Sequence, residues 1–301
     1  MYKKIVATVL AFVVIFSMAA CSSDSSGETS RPDQSHSSAS PTPSATIKEE
    51  VQKFQETVLV DNEDVLFKIT GIEKDPVWGY SLKAQIENRT ETDLMFSLND
   101  VSVNGYMFDP YFAVTVTAGM KANKEISFSN EGFQEIGIRE VTDIAFELRI
   151  YDSKDWSADA LVEEDFVIYP MGKDAAKEYP RESQDGDIVL FDTEACTMIV
   201  TGFDPDSIWG YSANVYLVNK TEDTLMFSVG DAAVNGFMCD PYFAVTVAPG
   251  KMSITAISWT KSALEENNIT EVESISLPIR VYDAEDWNKE DLINETFTVN
   301  P

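Results

Sequence analysis

The chain carries one 115-residue pattern twice. Residues 56–170 recur as residues 187–301 at a constant offset of 131, without an insertion or a deletion. Between residues 78 and 119 the copies share 25 of 42 positions. WGYS occurs at Trp78 and Trp209, LMFS at Leu94 and Leu225, VNG at Val103 and Val234, and DPYFAVTV at Asp109 and Asp240; RIYDSKDW from Arg149 answers RVYDAEDW from Arg280. A constant offset forbids differences in loop length, so the fold adopted by one copy must suit the other. Each copy is long enough to bury a core without disulfide or metal staples. The polar residues 171–186, which include Pro180, read as a linker, and residues 47–55 (IKEEVQKFQ) as a short amphipathic helix before the first copy.

The duplication also tests strand register, because apolar residues alternate with the same parity in both copies. Val65, Phe67 and Ile69 match Cys196, Met198 and Val200; Tyr80, Leu82, Ala84 and Ile86 match Tyr211, Ala213, Val215 and Leu217. Ile144, Phe146, Leu148 and Ile150 likewise match Ile275, Leu277, Ile279 and Val281. A period of two over short segments predicts half-buried antiparallel strands. Asn104-Gly105 is the preferred pair for a two-residue type I′ hairpin, which sets Val103 opposite Tyr106 and Val101 opposite Phe108. All four are then expected on the core face, together with Phe112. Seven to nine strands per copy, with turn signals between them, predict an all-β chain of two tandem antiparallel β-sandwiches.

The order of features in each copy resembles the immunoglobulin-like, telokin-like domain found in many Gram-positive lipoproteins. These features are an apolar strand, a long strand ending in Asn-Arg-Thr-Glu from Asn88, a hairpin, a Gly turn and a final strand pair. The resemblance implies extracytoplasmic binding or scaffolding. A second resemblance lies at the start of the chain. Lys3 and Lys4 precede sixteen residues, 5–20, without a charge, and this run is too short for the about 20 apolar residues that a span needs. It reads as a signal peptide, residues 1–20. Met18-Ala19-Ala20-Cys21 resembles the lipobox of bacterial lipoproteins, with Met18 where that family usually has Leu. The resemblance implies lipidation of Cys21 and anchoring to the cell membrane, with residues 21–46, rich in Ser, Pro, Asp and Thr, as a disordered tether.

Charge and residue inventory then exclude several classes of function. The formal net charge is -29, and loss of the two lysines in residues 1–20 makes it -31, which argues against nucleic acid and anionic wall polymer as partners. The one histidine, His36, lies in the tether, so neither copy holds the usual general base, metal ligand or Ser-His nucleophile. No cofactor motif is present. Carboxylates remain: Asp152 and Asp155, with Asp283 and Asp286 in the second copy, have a spacing that fits Ca²⁺ ligation or acid and base roles, although an Asp after a strand is more often a turn cap.

A repeated outward set offers the binding candidates. Met95, Met107, Arg149 and Tyr151 share the parity opposite to the core, with Tyr111 and Trp156 in adjoining loops; their counterparts are Met226, Met238, Arg280, Tyr282, Tyr242 and Trp287. Clustered, they would form an aromatic and guanidinium patch of the type enriched at interaction hot spots. Cys196 and Cys239 occur in the second copy alone, at core-facing positions of different strands, where they are either a disulfide or two small buried residues. The leading expectation is a non-catalytic, surface-anchored binding or scaffold module for an envelope protein or glycan. A Ca²⁺-dependent module using the YDxxDW carboxylates stands second and a carboxylate-only glycan-acting enzyme third.

Overall fold

A computed structural model describes residues 54–75, 79–177, 179–208 and 210–301. The expected signal peptide, Cys21, the expected tether, residues 47–53, Trp78 and Trp209 lie outside the described residues. Phe54 and Gln55 are not helical; Phe54 instead packs on the first core, so the end of the expected helix is an extended lead into the first strand.

The first repeat forms strands β1 (Thr57–Asp61), β2 (Val65–Asp75), β3 (Gly79–Asn88), β4 (Leu94–Val103), β5 (Tyr106–Met107), β6 (Ala113–Val116) and β7 (Lys121–Phe128). A helix α1 (Asn130–Ile136) then precedes β8 (Ile144–Asp152) and β9 (Val162–Ile168). The second repeat follows the same path through β10 (Ile188–Asp192), β11 (Cys196–Ser207), β12 (Gly210–Asn219), β13 (Leu225–Val229), β14 (Ala233–Val234), β15 (Phe237–Met238), β16 (Ala244–Val247) and β17 (Met252–Thr260). It ends with α2 (Lys261–Glu266), β18 (Ile275–Asp283) and β19 (Ile293–Val299). In each repeat one antiparallel sheet, β1-β2-β3-β7 or β10-β11-β12-β17, faces another built on β4 and β8, or on β13, β14 and β18. The chain is all-β, a sandwich held by alternate inward side chains.

The parity argument holds along the long strands. Every residue of the three matched series is buried, from Val65, Phe67 and Ile69 through Ile275, Leu277, Ile279 and Val281, and they fall into two separate core clusters, one per repeat. Each fully buried Leu, Ile or Phe side chain contributes about 1.5–3 kcal/mol relative to exposure, so these alternating positions dominate the driving force. Asn104 and Gly105 take φ values of 51° and 82°, the left-handed pair that a type I′ turn requires, and Asn235 and Gly236 repeat them at 50° and 82°. Buried Asn88 closes its loop from inside: its amide donates to the Thr92 and Val116 carbonyls at 2.8 Å, while Oδ1 accepts from Thr90. Asn219 makes the same bonds in the second repeat.

The hairpin departs from expectation at Tyr106. Val101 and Val103 enter the first core, but Tyr106 does not. It is buried against the second repeat, because β5 lies at a sheet edge and forms a parallel bridge with β17, Tyr106 opposite Met252. The Met252 amide donates to the Gly105 carbonyl at 2.9 Å, and the Tyr106 ring lies 6.5 Å from Tyr216. A sheet thereby runs from β10 in the second repeat to β9 in the first. Both repeats belong to one compact unit, Val51–Pro301. The connection is tied down as well: the Tyr106 hydroxyl donates to the Tyr179 carbonyl at 2.7 Å, and Arg181 grips Asp187 with two bonds of 2.7 and 2.8 Å.

Candidate functional site

The outward set resolves into a cluster and two strays. Register places Met95 opposite Tyr151 and Ser97 opposite Arg149 across β4 and β8, so Met95, Arg149 and Tyr151 share one outer face. The Arg149 guanidinium lies 4.4 Å from the centre of the Tyr151 ring and donates through Nη2 to the Trp156 carbonyl at 3.1 Å. In the second repeat Met226 is opposite Tyr282, Arg280 lies 4.9 Å from that ring, and Trp287 contacts Tyr282 at 5.5 Å between centroids. Trp156 and Trp287 are 76% and 74% exposed, large apolar surfaces offered to solvent. Each guanidinium also has a carboxylate partner: Glu163 at 3.4 Å for Arg149, and Asp291 at 2.9 Å for Arg280, which in turn lowers the Asp291 pKa. Such pairing fixes the arginine over its tyrosine, where the cation–π contact adds about 0.5–1 kcal/mol at an exposed site.

Tyr111 and Met107 do not join this patch. Tyr111 bonds to the Ser127 carbonyl on β7, in the opposite sheet, and Tyr242 does the same with Ser258. Met107 is half-buried against the second repeat's core, since β5 abuts that repeat, whereas Met238 is 63% exposed. Outward parity within a strand cannot distinguish solvent from a neighbouring repeat.

The paired carboxylates serve their own turns. Asp152 Oδ1 accepts from the Lys154 amide at 2.9 Å, and Asp155 Oδ1 from the Ser157 amide and hydroxyl at 3.1 and 2.7 Å. Asp283 Oδ1 accepts from the Glu285 and Asp286 amides, and Asp286 Oδ1 from Asn288. The Lys289 ammonium at 2.5 Å, helped by those amides, holds the Asp283 carboxyl at about 2. Each of the four carboxylates thus uses one oxygen for its turn, and Asp283 is in addition ion-paired with Lys289.

The disulfide weighed for Cys196 and Cys239 is not formed: both thiols are free and buried, and burial raises the pKa of each. Cys239 replaces Phe108, and the space goes to Trp259, which replaces Phe128 and donates its indole N–H to the Cys239 carbonyl at 2.8 Å. Ala263 stands where the first repeat has Gly132. A Cβ on Gly132 would come within 2.6 Å of the Phe108 ring, so the small residue and the large one change places together.

Sequence reading missed a pair of clefts at one end of the sandwiches. In the first repeat a cleft of ≈ 380 Å³ lies between the end of the β2–β3 pair and α1, lined by Lys74, Tyr80, Phe133, Gln134, Ile138 and Arg139 among others. The second repeat has a cleft of ≈ 420 Å³ at the matching place, lined by Phe203, Pro205, Tyr211, Leu264, Ile269 and Thr270 among others. The shared apolar floor gave no signal because it looks like core. The visible signal was where the copies disagree: Lys74 against Pro205 and Arg139 against Thr270.

Comparison with known proteins adds little. No family model matches the chain, and no curated protein does. Among solved structures, the crystal structure of the YadV chaperone aligns over 73% of this chain and 92% of its own, at 11% identity and a TM-score of 0.20, a likeness too slight to carry an argument. No described helix is long and apolar enough to cross a membrane.

Proposed function

We propose that the chain is a lipid-anchored, extracytoplasmic binding or scaffold protein that displays two immunoglobulin-like domains, with an envelope protein or glycan as partner. The observation that carries this reading is the repeated outer patch, in which Met95, Arg149, Tyr151 and Trp156 come together and Met226, Arg280, Tyr282 and Trp287 do so again. Exposed Trp with a fixed Arg and Tyr is the composition of interaction hot spots, and two such patches on one chain raise the effective affinity for a repetitive surface. Cys21 and the charge-free run before it supply the reason for an envelope location.

The test is binding of the full chain to purified wall glycan and to solubilised envelope proteins, compared with Tyr151→Ser, Tyr282→Ser and the double variant. Each single change is expected to weaken binding about 30-fold and the double change more, with melting unchanged, since hot-spot truncations cost about 2 kcal/mol or more. A large fall in melting temperature with binding intact would assign both tyrosines to structure. Cys21→Ser is expected to release the protein from the membrane fraction.

A further inference from the structure

The clefts of the two repeats share a floor and differ in charge. The floor of the first is Tyr80, Phe133, Ile138 and Val141; in the second the same positions hold Tyr211, Leu264, Ile269 and Val272. At the rim of the first stand Lys74 and Arg139, and among the described side chains no carboxylate lines it. The second has Pro205 and Thr270 at those two positions and is lined by Glu271. Two cations with no described carboxylate run against the balance of a chain with 51 acidic and 22 basic residues.

Neither cation has an ion pair among the described residues, a state that Lys74 shares with several other lysines of the chain, such as Lys124 and Lys251, but that sets Arg139 apart from the other described arginines. Arg89, Arg149, Arg181 and Arg280 each face a carboxylate, and Arg139 is the one arginine among the described residues without an ion pair. Lys74 has no carboxylate either; its ammonium lies 5.9 Å from the centre of the Tyr80 ring. Tyr80 is 4% exposed, and its hydroxyl has no hydrogen-bond partner among the described residues. Leaving a buried hydroxyl unpaired is costly. A cleft with an apolar floor, two cations without carboxylate partners and an unpaired donor beside it has the makings of a small-ligand site, and ≈ 380 Å³ falls within the common range of about 300–1,000 Å³.

We infer that the first repeat's cleft binds an amphipathic organic anion, a carboxylate on an apolar body, with the carboxylate between Lys74 and Arg139 and the apolar part on Phe133, Ile138 and Val141. The second cleft accepts the apolar part but not the charge. One chain then holds one anion. This site is on a different part of the sandwich surface from the aromatic patch of β4 and β8, so the two can fail separately.

The experiment is calorimetric titration of the full chain with octanoate, with 1-octanol and inorganic phosphate as comparison probes. Octanoate is expected to bind with a stoichiometry of one. Lys74→Gln and Arg139→Gln, both exposed side chains whose loss leaves the fold intact, should each weaken it several-fold and together at least about 10-fold, as loss of two charge-assisted contacts implies. Pro205→Lys with Thr270→Arg should create a second site. Tyr151→Ser with Tyr282→Ser should leave octanoate binding unchanged while weakening binding to wall glycan or envelope protein. No octanoate binding at millimolar concentration, equal binding of 1-octanol, a stoichiometry of two in the unaltered chain, indifference to Lys74→Gln with Arg139→Gln, or phosphate binding alone would each overturn the inference.

Discussion

The two repeats fill the same end of the same sandwich in different ways. In the first, Phe108, Phe128 and Phe133 form an aromatic triangle, with centroids 5.1–6.2 Å apart, on which the Tyr80 ring also rests. In the second, Cys239, Trp259 and Leu264 occupy these positions, and Trp259 is wholly buried. Volume removed at one position reappears at another, and Ala263 uses room that the first repeat's Phe108 denies to a Cβ at Gly132. Duplicated cores therefore drift by compensated exchange, since close packing penalises a lone change in either direction.

Three measurements sharpen or break this comparison. The largest effect is expected from moving one exchange without its partner: Phe128→Trp in the first repeat should overpack the triangle and cost up to about 3 kcal/mol in urea unfolding. Adding Phe108→Cys should restore part of that loss, with a coupling of about 1 kcal/mol or more. Strict additivity of the two changes would refute compensation.

The next contrast concerns the hairpins. Tyr106 is buried between the repeats with its hydroxyl on the Tyr179 carbonyl, whereas its counterpart Phe237 is 51% exposed. Tyr106→Ala should therefore cost about 2 kcal/mol, from lost ring burial and a lost hydrogen bond, while Phe237→Ala should stay within about 0.5 kcal/mol. Equal denaturation midpoints for the two variants would show that the repeats do not lean on each other through β5.

The smallest effect belongs to the clamp between Arg181 and Asp187, in the connection between the repeats. The Arg181 guanidinium, helped by the Gln184 amide, lowers the Asp187 carboxyl to about 2. A depressed carboxylate stabilises the fold fully above its ordinary pKa near 4 and loses that contribution as pH falls toward 2. Asp187→Asn should accordingly unfold about 1 kcal/mol more easily than the unaltered chain at pH 6, and the difference should vanish between pH 4 and pH 2. A difference that persists at pH 2 would mean the carboxylate's charge is not what matters.

Much of this was legible from sequence for identifiable reasons. Alternation in Tyr80, Leu82, Ala84 and Ile86 is a local consequence of the strand pleat, and the duplicate confirmed its parity at Tyr211, Ala213, Val215 and Leu217. Asn104-Gly105 announced its turn because few residues tolerate the left-handed conformation. The outward run of Arg149 and Tyr151 followed from the same pleat, so half of the candidate patch could be read directly. Tyr111 could not be placed, because a loop residue has no period to follow.

By itself, then, the sequence determined the strands, their inward faces and the hairpin turn, because these depend on neighbours one to a few residues apart. Tertiary structure alone decided that Tyr106 and Met107 face the second repeat, that Cys196 and Cys239 stay unbonded, and that Lys74 meets Tyr80 at the mouth of a cleft. Those outcomes depend on which sheet edges meet and on which volumes are already filled. Such facts arise only when segments far apart in the chain share the same space.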